Sequence, residues 1–237
     1  MKKNYWIVII AIIVIGLIAY GIYIKQNNSI KPDKNSDNPN LCKNLISFDE
    51  IKNACKTGIK ENTNDSYYIT LANTKIDSIG SQAELAEGET SRCLRDIVTN
   101  DYEPAYSYTH DPTPKGSELM IVVSTLDSTD SANKFYEETV ISFNESNPSE
   151  KETKKALILN QNTSEFGIKG NIGSFKAMDI FDPESNTTVH LSKSIGISFL
   201  KGTKVIWLSS ASYNQTTPLL CELDNLKKIA KIIDNKI

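Results

Sequence analysis

From Tyr5 to Ile24 the chain runs for twenty residues without a charged or strongly polar side chain, bracketed by Lys3 and Lys25. At about 1.5 Å rise per residue such a run reaches roughly 30 Å, the thickness of a bilayer's hydrocarbon core. Tyr5 and Trp6 stand at one end and Tyr20 and Tyr23 near the other, where amphipathic rings favour the headgroup region. A spanning helix over residues 5–24 is expected, with 1–25 as the anchor. The competing reading is a cleaved secretory signal, with Lys2 and Lys3 as n-region, Trp6 to Ile18 as h-region and Ala19-Tyr20-Gly21 as the small-x-small cut. The apolar run continues through Ile22, Tyr23 and Ile24, past that cut, and this favours retention. Either way the rest of the chain is exported, because only four residues precede the run.

Polar positions then take over. Residues 26–41 are rich in Asn, Ser and Asp and interrupted by Pro32 and Pro39, the composition of a flexible spacer. The folded part is expected over 42–237. Its first element is a short helix at 47–57: Ser47 and Glu50 have capping-box spacing, Ile46 and Ile51 sit as a hydrophobic staple, and Gly58 suits a left-handed C-terminal cap. Phe48, Ile51 and Cys55 share one face of it, which turns Cys55 to the core. A strand is predicted at Tyr67–Leu71, followed by a polar stretch to Arg92 with little signal. Tyr106, Tyr108 and His110 alternate as in a half-exposed strand, DPTPKG (111–116) is turn chemistry, and LMIVVSTL (119–126) reads as a buried central strand.

Helical spacing returns at Ala132, Phe135, Tyr136, Val140 and Phe143, predicting a helix at 130–145 capped by Ser128 or Asp130 and ended by Asn147-Pro148. Short strands follow at 156–159, 174–181, 188–200 and 204–211, the last two joined by a tight turn at Lys201-Gly202. Thr217-Pro218 is expected to open a terminal helix whose apolar stripe is Leu219, Leu223, Leu226, Ala230, Ile233 and Ile237. Continued back to Cys221, that helix would place the cysteine away from the stripe, toward a loop or the N-terminal region. The fold class is α+β, with a mostly antiparallel sheet packed by N-terminal, central and C-terminal helices.

Charge narrows the functional classes. Without Lys2, Lys3 and Lys25 the chain carries 23 Lys+Arg against 29 Asp+Glu, and no basic run interrupts that balance. Nucleic acid is therefore not an expected partner. Cys42, Cys55, Cys93 and Cys221 form an even set outside the apolar run, with no C-x-x-C pair and no metal-ligand spacing to His110 or His190. Two disulfides in an oxidising compartment fit this usage. Of the three connectivities, Cys42–Cys55 is disfavoured by the capped helix between them. Six N-x-[ST] sequons, at Asn27, Asn64, Asn144, Asn162, Asn186 and Asn214, permit glycosylation at about the frequency chance gives for an Asn-, Ser- and Thr-rich chain.

LCKNLISFDEIKNACKTG (41–58), GNIGSFKA (170–177) and ISFLKGTKVIWLS (197–209) together resemble the PsbP-like fold of bacterial extracytoplasmic lipoproteins. They match its opening Cys with a capped helix and Gly, its G-x-[IV]-G-D-x-A turn, and its strand–Lys/Arg-Gly–strand hairpin before the last helix. Ser174 stands in place of the acidic residue of that turn, and Cys55 and Cys221 are additional. The resemblance implies a non-enzymatic binding, assembly or envelope accessory module, with no active site to carry over. It also implies a Cys42–Cys93 pair, which leaves Cys55 with Cys221.

Several residue sets invite a chemical reading. Gly167, Gly170 and Gly173 make G-x-x-G-x-x-G, but no Gly-Lys-Ser/Thr follows, and a turn between strands fits better than a phosphate cradle. Asp179, Asp182, Glu184 and Asn186 offer oxygen ligands for calcium, yet Pro183 and the lack of an EF-hand pattern favour a solvated hairpin connection. His110-Asp111 could form an acid–base pair, with no nucleophile placed beside it by sequence. Tyr67, Tyr68, Tyr102, Tyr106 and Tyr108 are the most suggestive set, because a tyrosine ring offers both an apolar face and a hydroxyl; Tyr67, Tyr106 and Tyr108 are the candidate binding face. The expected function is a membrane-tethered extracytoplasmic binding or assembly module of the cell envelope. It would need no catalytic residue, metal or cofactor, and its partners would be the lipid bilayer through residues 5–24 and an envelope protein or glycan. The alternatives are an envelope hydrolase with a site assembled from distant residues, and a structural surface protein.

Overall fold

A computed structural model describes residues 45–55, 58–62, 66–70, 85–102, 115–143, 146, 148–182, 187–212 and 216–237. The expected anchor, spacer, Cys42, and the Tyr106, Tyr108 and His110 strand lie outside these residues. Among the described residues no helix is long and apolar enough to cross a membrane.

The architecture is α+β. Ten strands are described: β1 (Ile59–Glu61), β2 (Tyr67–Thr70), β3 (Glu89–Thr99), β4 (Ser117–Leu126), β5 (Leu157–Thr163), β6 (Lys169–Phe175), β7 (Met178–Asp182), β8 (Thr187–Leu191), β9 (Lys193–Lys201) and β10 (Lys204–Ser212). The helices are α1 (Phe48–Ala54), α2 (Thr129–Thr139), α3 (Pro148–Lys154) and α4 (Leu223–Lys236). One sheet runs β1-β3-β4-β10-β9-β6-β5, with β2 also on β3, and β7 and β8 form a separate ribbon. Every described pairing is antiparallel.

Strand alternation divides the sheet into two unlike faces. Ile97, Leu119, Ile121, Val123, Ile197, Phe199, Ile206 and Leu208 are buried in one core with Ile51 of α1 and Leu226, Ile229, Ala230 and Ile233 of α4. Leu126, Leu200 and Val205, on the other face, pack under Ala132 and Tyr136 of α2. The terminal helices thus share one face and α2 covers part of the other.

The ends of the elements differ from expectation for tertiary reasons. The capping box at Ser47 and Glu50 is present, but α1 stops at Ala54, where Cys55 turns extended. Gly58, with φ 81°, turns the chain into β1 instead of capping the helix. The strand β3 is a correction: no element was expected across Glu89–Thr99, because Arg92, Arg95 and Asp96 break its apolar pattern. Arg95 is buried, and its guanidinium donates to Glu61 Oε1 at 3.0 Å and to the Ile46 carbonyl.

The expected helix at 130–145 ends at Thr139, after which Ile141 and Phe143 leave it to lie along the sheet. Pro148 opens α3 rather than closing α2, as proline's fixed φ suits a first helical position. The strand expected at 174–181 is split between β6 and β7 at Lys176-Ala177, and that expected at 188–200 between β8 and β9 at Ser192. In the β9–β10 hairpin Lys201 pairs with Lys204, so the turn residues are Gly202 and Thr203, with Gly202 at φ 60°.

Thr217-Pro218 does not cap the last helix. The Thr217 carbonyl accepts from Ser212 Oγ at 2.8 Å, the Pro218 carbonyl from Ser117 Oγ at 2.5 Å, and Ser210 Oγ accepts from the Cys221 amide at 3.0 Å. These bonds hold the segment against β4 and β10, and α4 begins only at Leu223. Cys221 therefore does not follow the helical angle expected of it: it is fully buried and joined to Cys55, with Cα atoms 4.9 Å apart. Cys93 is buried on the α1 and α4 face and is also disulfide-bonded.

Candidate functional site

Sequence alternation in β9 sets up the most distinctive surface feature. Ser194, Gly196 and Ser198 point to the α2 face, and Ile195, Ile197 and Phe199 to the core. Register carries the small row across neighbouring strands: Gly173 lies opposite Gly196 and Gly196 opposite Ser209. A floor with almost no side chains results, bounded on one side by Asn171, Ser198 and Trp207 and on the other by Phe175 and Ser194.

Thr139 and Ile141, in the chain leaving α2, close the rim and leave a cavity of about 40 Å³. That holds a few water molecules at about 10–15 Å³ each, so anything larger lies along the sheet. Ile141 sits over Gly173, where any Cβ would collide with its Cδ1. Phe143 meets Phe175 edge-on, centroids 6.5 Å apart, and the Ile141 carbonyl accepts from Asn160 Nδ2 at 3.1 Å. Asn171 Nδ2 donates to Asn160 Oδ1 at 2.9 Å and Asn162 Oδ1 at 3.3 Å, fixing the polar wall.

The Trp207 wall continues across the sheet. Trp207 lies opposite Val122, Val122 opposite Leu94, and Leu94 opposite Tyr67 in backbone register. Leu94, Met120, Val122 and Trp207 are all half-buried, so an apolar strip flanks the trough. Tyr136 of α2 is buried, and its hydroxyl is hydrogen-bonded to Ser198 on the trough wall. Burial pushes its phenol above the ordinary value, partly offset by that hydrogen bond. It remains a neutral phenol.

The sequence-based candidates fall out unevenly. Tyr67 stands at the register position next to the apolar strip, whereas Tyr106 and Tyr108 lie outside the described residues. Gly167, at φ 57°, forms a turn, but Gly170 and Gly173 are strand residues of β6, so the three glycines make no phosphate loop. Asp179 and Asp182 belong to β7, and Glu184 and Asn186 lie outside the described residues. Among the described residues no cluster of His, Cys, Asp and Glu is arranged to hold a metal. Of the sequon asparagines only Asn162 is described, exposed on β5. The trough residues were not singled out from sequence. The legible signal for them was the strict alternation of small and large residues in SIGISF.

A family of chordopoxvirus proteins matches residues 1–73, the stretch holding the apolar run, the spacer and the first elements of the fold. No curated protein and no solved structure matches the chain.

Proposed function

We propose that this chain is a membrane-tethered, non-catalytic binding or assembly module of the cell envelope, held by residues 5–24 with its α+β part on the extracytoplasmic side. The observation that carries the binding role is the trough on the α2 face, with its Gly173–Gly196–Ser209 floor and Trp207 wall. An indole face suits the C–H surface of a sugar ring, and the flanking Asn171 and Ser198 suit its hydroxyls. An envelope glycan is thus the favoured occupant. The Cys55–Cys221 disulfide supports an oxidising compartment, and the uninterrupted apolar run supports the tether.

Trp6 and Trp207 are the two tryptophans, so a Trp6→Phe chain in detergent reports on the trough alone. Titration with soluble envelope glycan fragments should shift the Trp207 emission saturably, and Trp207→Ala should weaken retention on immobilised glycan at least tenfold. Retention unchanged in Trp207→Ala would reject the trough as the binding site.

A further inference from the structure

The two ends of the main sheet are built differently. At one end β1 is three residues long and carries Lys60 and Glu61, and β2 beside it has four residues. Short, charged edges of this kind resist pairing with another chain. At the other end β5 is seven residues long, LILNQNT, with no charge and no proline. Among the described residues β6 is its sole strand partner. Ile158, Asn160, Gln161 and Asn162 are exposed along it. The exposed large hydrophobic side chains among the described residues are Ile158, 66% accessible, and Ile168, 70% accessible. Both belong to this same end, one in β5 and one just ahead of β6. The irregularity in the β5–β6 register falls at Ile158, near the start of the strand, and leaves Leu159 to Thr163 regularly paired.

We propose that the free edge of β5 pairs antiparallel with β5 of a second copy of this chain, extending the sheet across a two-fold axis near Asn160. Charge complementarity selects a second copy. Two-fold pairing about residue 160 sets the Lys154-Lys155 end of one strand against the Glu165 end of the other, twice by symmetry, and within 154–166 it places no like charges opposite one another. Asn160 and Asn162 present amides, each both donor and acceptor, so the row from Asn171 outward is self-complementary. Within one copy Lys155 pairs with Glu152 and Glu165 with Lys227, all partly exposed, so turning toward a partner costs little. One strand pair and two isoleucines bury far less than a standard interface of about 1,600 Å², and the association is weak and concentration-dependent. The proposal does not depend on what the trough binds.

The test uses the full chain in detergent. No cysteine is free, so Asn160→Cys adds a unique thiol. Under mild oxidation it should give a disulfide-linked dimer, while Glu137→Cys, exposed on α2, should give none. In sedimentation equilibrium Lys155→Glu should weaken dimerisation at least tenfold, and adding Glu165→Lys should restore it. A chain that stays monomeric at every concentration would overturn the proposal. So would a dimer indifferent to the charge exchange and not captured at position 160, as association through residues 5–24 would give.

Discussion

Glu50 joins the two ends of the fold through a single carboxylate. Its Oε2 accepts from the Ser47 amide at 2.7 Å, the Glu50 amide donates to Ser47 Oγ at 3.2 Å, and Lys236 Nζ, at the far end of α4, reaches both oxygens at 2.9 Å. The Ser47 amide first, then Lys236, hold the Glu50 carboxyl down from its ordinary 4.5 to about 2. A carboxylate whose pKa is lowered by folding stabilises the fold above its unfolded value and ceases to do so once protonated. Glu50's contribution should therefore be complete above about pH 4.5 and lost as pH falls toward 2. In thermal melts, Glu50→Gln should narrow the gap in stability between pH 6 and pH 3, and Ser47→Ala should cost about 1 kcal/mol of cap energy. A wild-type and Glu50→Gln pair with parallel pH profiles would contradict this. The Ser47–Glu50 half of the arrangement was legible from a three-residue spacing. Lys236 was not, since no local pattern relates residues 186 apart in sequence.

At the scale of elements, periodicity located α2, α4, β4 and the β9–β10 hairpin because each buries one face along a regular repeat. It missed β3, whose polar residues are answered by contacts from elsewhere, such as the one between Arg95 and Glu61. It also overextended α4, because Leu219, Leu220 and Cys221 are as apolar as a helix face but are buried in the irregular segment that Ser117, Ser210 and Ser212 hold in place. The true stripe of α4 is Leu226, Ile229, Ala230 and Ile233, and it includes Ile229, which the expected stripe omitted. Ile229→Ala should cost about 2–5 kcal/mol through the cavity it leaves, whereas Lys228→Ala, on the same helix, should stay within about 0.5 kcal/mol. Denaturant midpoints of the two variants decide this; equal midpoints would mean that α4 is not docked by that face.

For the whole molecule, the Cys55–Cys221 bridge spans 166 residues and clips the end of α1 to the segment that leads into α4. In the loop-entropy account its removal should cost up to about 5 kcal/mol. The Cys55→Ser/Cys221→Ser chain should accordingly unfold at a much lower guanidinium concentration than the oxidised wild type, and a coincident transition would show that the bridge does not form. The anchor expectation has its own readout. The mature chain should keep its N-terminus and remain with membranes after a carbonate wash, and release with a new N-terminus at Ile22 would refute it.

What the sequence determined by itself is whatever rests on neighbours along the chain: the apolar run of 5–24, the capping box of α1, the α+β class, and the two-sided character of β9. Tertiary structure alone decided which faces meet. It put the two terminal helices together on one side of the sheet and α2 on the other, and it buried Cys221 beside Cys55. By aligning Gly173, Gly196 and Ser209 from three strands into one floor, it also made the trough. The physical reason is that strand register and crossover are set by cooperative burial between segments far apart in sequence, and a local repeat carries no record of which distant strand will lie beside it.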